Sequence, residues 1–473
     1  MKCHRWTGAL VVVISRALAG HELRADDTTD TINTLKQQIE QLDQKVRILE
    51  RNHELEQETA DTRSKEAPKI SIGERGFSWA SSDGAFAVNL RGVLQLDSRS
   101  FFKDGGTKGN DGFILRRARP VIEGTVLRDF DFLFVPDFAG SSAQVFDAYL
   151  NYRYSPELQV QAGKFKSPVG LEQLQADARI LFNERSLATG LVPNRDLGVE
   201  LHGDLFDSRV SYAAGLFNGV GDARNSNNAD FEDDKEFAGR LFLQPFKESD
   251  LVGVQGLGLG VGGSYGNSST PSALPSLTGG ALPGYTTDGQ QQFFAYNPTG
   301  AVVAAAGTHW RLAPQGYYHF GPFGLLGEYL ISSQKVARTG GAPAVTDRLN
   351  HKAWQVSASW VLTGEDASFQ GVVPARPFDP AAGHWGALQL VARYARLEID
   401  RDAFPNFADP TTSARSAAAW SVGLNWWLNR NVRVLASFSR TAFSGGGGTG
   451  TTAPATVTRQ PENVLFTRIQ LAF

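Results

Sequence analysis

Arginines recur along this 473-residue chain at positions whose flanking residues are mostly apolar: Arg91, Arg117, Arg119, Arg153, Arg240, Arg311 and Arg393. A guanidinium stays charged at any ordinary pH, and its planar fork of N–H donors matches two oxygens of a carboxylate or phosphate. A column of such groups would gather small anions. A second concentration, Lys164, Lys166, Arg179, Arg185 and Arg195, lies in and beside the stretch Lys166–Arg195. Acids predicted to face the same way, Asp97, Glu123, Asp137, Asp147 and Glu200, could pair with these cations and cancel the attraction. The residues alone therefore lean only slightly toward anions, and less toward phosphate.

Other spacings that resemble chemistry fail on context. Gly258-Leu-Gly-Val-Gly-Gly263 fits G-x-G-x-x-G, and the overlapping Gly262-Gly-Ser264-Tyr-Gly266 fits G-x-S-x-G. The first must open a helix and the second must sit on a strand-to-helix elbow. Here Gly256, Gly258, Gly260 and Gly262 repeat every second residue of one strand, which leaves a bare face for something to approach closely. The eight histidines lack metal-ligand spacing, and the acidic run Asp230–Glu236 reads as a solvated loop tip. The sequence predicts no catalytic residues, no metal and no cofactor. A net charge of -3 excludes a generally basic nucleic-acid protein.

The elements that must position the arginines are strands. From Ala85 onward apolar and polar residues alternate in run after run, the period of a half-buried strand. Phe86 to Asp97 is an example, and Leu158–Gly163 and Leu197–Leu205 are two more. About sixteen such runs occur, ending in Leu465–Phe473, with Phe293–Tyr296 as a possible short extra strand. Their connections tend to alternate. Long ones occupy 102–112, 166–195, 218–234, 267–307, 401–415 and 444–463; tight turns include Leu127–Asp129, Ser155–Glu157 and Asn429–Asn431. Segments 139–143, 244–256 and 364–382 break the pattern. Long loops on one rim and short turns on the other characterise a transmembrane barrel. Hydrophobic content of 41 % is compatible with that, because the strand alternation averages out. The terminal strand would be an aggregating edge in water unless it pairs with the first. On such strands the parity opposite the lipid-facing set points into the lumen, since an arginine at the lipid midplane costs about 2–4 kcal/mol. Lys166–Arg195 is long for a hairpin loop and carries Leu171, Leu174, Ile180, Leu181, Phe182, Leu187, Leu191 and Val192. It is predicted to fold into the lumen as a constriction.

Ahead of the barrel, Ile32, Leu35, Ile39, Leu42, Val46 and Leu49 follow 3-4-3-4-3 spacing, a coiled-coil seam. β-Branched a positions with leucine d positions lean toward dimers, a preference that a barrel trimer would have to override. Lys2, His4 and Arg5, then Leu10–Ile14, then Ala17–Ala19 have the form of a secretory leader. The lone cysteine, Cys3, falls inside it.

Several segments resemble the phosphate-selective porin O and P family over about residues 75–473. They are Phe113–Arg119, Asp147-Ala-Tyr149, Gly163–Glu172, Asn183–Ser186, Arg311–Tyr318 and Gly321–Tyr329. The resemblance implies a trimeric sixteen-stranded outer-membrane channel in which an arginine ladder guides anions to a loop-lined constriction. Carried over by motif, Arg116, Arg117 and Arg119 would supply ladder positions and Asp137 an acidic lining group. The chain departs from the phosphate-specific members in its lack of a lysine excess and in its coiled coil.

The expectation is thus an all-β protein, a transmembrane antiparallel β-barrel of about 16 strands preceded by a short helical coiled coil. Its predicted divisions are a signal peptide (1–19), a periplasmic coiled coil (28–62), a connector (63–84) and the barrel (85–473). It would act as an outer-membrane homotrimer passing small anionic solutes such as phosphate, through Arg91, Arg116, Arg117, Arg119, Asp137, Arg240, Arg311 and Arg393. The alternative is a structural or adhesive barrel with a plugged lumen, tethered through its coiled coil.

Overall fold

The computed structural model describes residues 25–74, 76–102, 109–140, 142–226, 233–269, 282–296, 302–339, 345–448 and 457–473. The expected leader and residues 230–232 of the acidic run lie outside them; Glu236 of that run is buried against Arg311 and is not part of a solvated tip. The chain divides into two units at Ala67/Pro68. In the first, helix α1 (Ala25–Glu66) extends past both bounds of the predicted seam. Ile32, Leu35, Ile39, Leu42, Val46 and Leu49 are exposed along it, and Asp43 pairs with Arg47 one turn on.

The second unit begins with a hairpin, β1 (Lys69–Gly73) and β2 (Gly76–Ala80), where the sequence suggested only a connector. Sixteen strands then form the barrel. They are β3 (Ala87–Phe101), β4 (Gly112–Val126), β5 (Phe130–Asp137), β6 (Gln144–Ser155), β7 (Leu158–Lys166), β8 (Arg195–Leu205), β9 (Val210–Phe217), β10 (Glu236–Leu243) and β11 (Leu257–Ser269). After a separate small hairpin, β12 (Tyr285–Thr286) and β13 (Gln292–Phe294), come β14 (Val302–Phe320), β15 (Phe323–Thr339) and β16 (Val345–Val361). The last are β17 (Ala387–Glu398), β18 (Ala414–Trp427), β19 (Val432–Gly445) and β20 (Glu462–Ala472). Each pairs antiparallel with its sequence neighbour, and β20 returns to β3 with Ile469 opposite Leu96. Phe473 and Gly92 exchange backbone hydrogen bonds at 3.0 and 3.1 Å, which finishes the seam. No edge of the barrel is left open.

The two faces of the wall are inverted relative to a water-soluble sandwich. Leu94, Leu96, Val199, Leu201, Leu241, Val422 and Ile469 point outward and are exposed. Gln95, Asp97, Arg117, Gln355, Arg433, Arg468 and Gln470 point inward and are buried. That arrangement is stable only where the surroundings are apolar, as in a bilayer. At one rim most turns are tight, as at 127–129, 206–209 and 321–322, with longer connections at 244–256 and 362–386; at the other most connections are long, 138–143 being a short exception. Buried residues in those long connections include Val169, Ile180, Leu191, Val220, Tyr285, Phe294 and Phe407. Apolar side chains in a loop need cover, and here the lumen supplies it.

Candidate functional site

The inward loop 167–194 lies against ten consecutive strands, from β11 through β14–β20 to β3 and β4. Val169 O accepts from Gln315 on β14 (2.7 Å), and the Leu171 N–H donates to Glu328 on β15 (2.8 Å). Glu172 accepts from Gln355 on β16 (2.9 Å) and pairs with Arg393 on β17 (3.2 Å). The carbonyls of Leu181, Ile180 and Ala178 accept, each at 3.0 Å, from Asn425 on β18, Arg433 on β19 and Gln470 on β20. The Asp177 carbonyl meets Gln95 on β3 (3.3 Å), and its carboxylate meets Arg117 and Arg119 on β4. Irregular backbone cannot satisfy its own N–H and C=O groups, so wall side chains satisfy them instead. One residue of the bare glycine face makes room for the loop: a Cβ at Gly262 would collide with the Val169 carbonyl oxygen, whereas Gly258 and Gly260 make room for the Phe242 ring.

Beside the loop is a cavity of about 330 Å³. Its charged lining is Arg116, Arg117, Arg119, Arg185 and Arg195 against Asp177, Glu184 and Asp288, an excess of two positive charges. Three guanidiniums come from one strand because β4 carries a bulge. Gln95 opposes Arg117 while Leu96 opposes Leu115, so Arg116 is the extra residue. Arg116 therefore joins Arg117 and Arg119 on the lumen side, where strict alternation would have sent it outward.

Loop carboxylates meet this cluster directly. Asp177 contacts Arg119, Arg185 (2.5 Å), Arg117 (3.4 Å) and Arg195 (3.8 Å). Burial alone would raise its carboxyl, but the surrounding arginines outweigh burial and hold it well below the usual carboxylate range. Glu184 bridges Arg99 (3.0 Å) and Arg116 (2.6 Å). For it too, burial pushes up and Arg116 pulls further down. Arg119 also pairs with Asp137 (2.6 Å) and stands 4.0 Å from the Phe146 ring centroid.

The other predicted residues, Arg185 and Arg195 apart, do not line the cavity. Arg91 is ion-paired with Glu123, and Arg153 with Asp131 at 3.2 Å, toward the short-turn rim. Arg240 donates to Gln315 (3.0 Å) and stacks 4.4 Å over Phe242. Arg311 is buried between Asp222 and Glu236, both at 2.7 Å. Ser264 of the apparent esterase motif is its neighbour (3.1 Å), in the middle of a continuous strand. Arg393 bridges Glu172 and Asp288, 4.4 Å from the Phe182 ring centroid. Lys164 donates to Ser226 O (2.7 Å) and Lys166 to Gln175 O (2.8 Å). Arg179 lies 6.0 Å over Trp427. Arg185 also ties the loop to itself through Gln175 O (2.8 Å), and Arg195 reaches Asp147 (3.3 Å).

Sequence reasoning missed Arg99, Arg433 and Arg468, all inward-facing. Parity could have found them: Arg99 shares the odd set of Arg91, and Arg468 lies opposite the Ile469–Leu471 face. It also missed that other loops enter the lumen. Asp288, on the segment between β12 and β13, accepts from Arg393, Ser421 and Ser439, and Glu462 accepts from Thr287. Phe293 and Phe294 belong to that segment and not to the barrel wall.

A family model, "Phosphate-selective porin O and P", matches residues 88–473. No curated protein sequence matches the chain significantly. Among solved structures, the outer membrane channel DcaP of Acinetobacter baumannii aligns at 10 % identity over 82 % of this chain and 98 % of its own, TM-score 0.49. The anion-selective porin from Comamonas acidovorans aligns at 12 % over 82 % and 100 %, TM-score 0.48. OmpT of Vibrio cholerae aligns at 12 % over 86 % and 100 %, TM-score 0.47. The family match spans the barrel from its first strand to its last, and with it the chain belongs to the phosphate-selective porin O and P family of outer-membrane channels.

Proposed function

We propose that small anionic solutes, phosphate among them, diffuse passively through this barrel, attracted by Arg116, Arg117, Arg119, Arg185 and Arg195. The observation that carries this reading is the surplus of guanidinium over carboxylate around the 330 Å³ cavity. Fixed positive charge in a narrow, partly dehydrated passage raises the local anion concentration and excludes cations. The inward loop 167–194 sets the size limit. Three copies of the barrel form the working unit, with α1 on the periplasmic side. In planar bilayers under a KCl gradient, the reversal potential should report anion preference.

A second reading is favoured by the number of wall strands the loop touches: a barrel whose lumen is plugged and whose role is structural. Liposome swelling separates the two. Swelling in small neutral sugars supports the channel, and none supports the plug.

A further inference from the structure

The hairpin β1–β2 is not part of the closed ring, yet it continues the ring's outer surface. β2 pairs with the first residues of β3, Phe77 opposite Leu90 and Trp79 opposite Val88. β1 adds Ile72 opposite Phe77 and Ile70 opposite Trp79. Cross-strand partners share a face, so Ile70, Ile72, Phe77 and Trp79 form one apolar patch in line with outward-facing Leu90 and Val88. They are 67, 72, 38 and 43 % exposed, with Phe77 and Trp79 stacked. The opposite face carries Lys69, Ser71 and Ser78, with Ser78 opposite inward-facing Asn89.

The patch is held in a fixed position. β20 ends at Ala472 opposite Val93, while β3 runs six residues further down, to Ala87. The hairpin fills that step. Its turn is tied by Asn431 Nδ2 donating to Glu74 O (2.7 Å). Gly76, at φ +90°, lets it tuck against the Phe473 ring and the Leu90 carbonyl, where a Cβ would not fit. A sheet fixed in register with the lipid-facing wall must present its apolar side to the same medium. We propose that β1–β2 is embedded in the lipid leaflet at the short-turn rim, with Ile70, Ile72, Phe77 and Trp79 among acyl chains and headgroups. Its aromatic pair suits that depth. This rests on the outer-membrane reading of the barrel.

Cys3 is the only cysteine, so a Cys3→Ser background allows labelling at single introduced thiols. Bimane placed at Ile72→Cys or Ile70→Cys, in nanodiscs whose lipids are brominated along the acyl chain, should lose emission relative to unbrominated nanodiscs, as expected for a label at interfacial depth. The same label at Ser71→Cys or Ser78→Cys should be largely unaffected and open to aqueous iodide. Leu241→Cys on the barrel wall is the reference. Quenching at Leu241→Cys with none at Ile72→Cys or Ile70→Cys overturns the proposal and leaves the barrel reading intact. No quenching at Leu241→Cys overturns both. Pyrene excimer emission at Ile72→Cys without lipid quenching assigns the face to a second copy and also overturns the proposal.

Discussion

Arg116 and Glu184 meet in a two-point grip, Nε to Oε1 at 2.6 Å and Nη2 to Oε2 at 2.9 Å. The arginine belongs to the wall and the glutamate to the inward loop. Wall charge and loop position are therefore one system: the carboxylates that hold the loop also spend part of the positive field. What remains for solutes is the surplus around the cavity.

Glu184→Gln should separate these two effects. The variant keeps the side-chain shape but leaves Arg99 and Arg116 without their counter-charge. Removing one partner of a buried pair costs about 3–5 kcal/mol, so the loop should loosen while anion preference rises. Bilayer recordings should show noisier current and a larger reversal potential toward chloride. A quiet channel of unchanged selectivity would contradict the coupling.

Arg117→Ala and Arg119→Ala should each lower anion preference, because each removes a cation next to Asp177 and leaves that carboxylate less screened. The reversal potential under a KCl gradient checks both. Arg240→Ala, outside the cavity, should shift it much less.

Acidification tests the loop carboxylates. Asp177 and Glu184 lie below their ordinary values when folded. Their contribution is therefore complete above the unfolded values, about 3.9 and 4.3, and is lost as pH falls through the lower folded ones. The difference in current noise and selectivity between the wild type and Glu184→Gln should hold steady from pH 7 to 5 and shrink only well below pH 4. A loss of that difference between pH 5 and 7 would contradict the assignment.

Much of this was legible in the sequence, and the reason is periodicity. The lumen or lipid position of Arg91, Arg117, Arg119, Arg311 and Arg393 follows from alternation, and so do the strands themselves. Arg116 faces inward because of a bulge, which alternation cannot reveal; only the family motif pointed to it. The partners Glu172, Asp177, Glu184, Asp222 and Asp288 sit in connections with no period, so nothing in their spacing said which arginine each would reach. The hairpin β1–β2 was missed because two five-residue strands separated by Gly-containing sequence give too short an alternation to stand out.

The glycine face of β11 gives a steric prediction. Gly262→Val places a branched side chain where the Val169 carbonyl now lies. The loop must lift from β11 and break the hydrogen bond between Gln315 and Val169. Single-channel conductance should change, while the folded barrel, read by heat-modified gel mobility, should persist. Unchanged conductance would mean the loop does not shape the passage.

Arg468 and Asp97 test the barrel seam. They form a fully buried two-point pair across β20 and β3, at 2.6 and 2.7 Å. Arg468→Met should destabilise the barrel by about 3–5 kcal/mol, through the unpaired Asp97. Arg468→Met with Asp97→Leu should recover most of that loss in urea unfolding. Equal loss in both would show that the pair does not set seam stability.

The most direct test of the channel reading is the zero-current potential of the wild-type protein in a planar bilayer with a tenfold KCl gradient. An excess of guanidinium over carboxylate around the cavity predicts a potential displaced toward the chloride equilibrium value. Displacement toward the potassium value would contradict it.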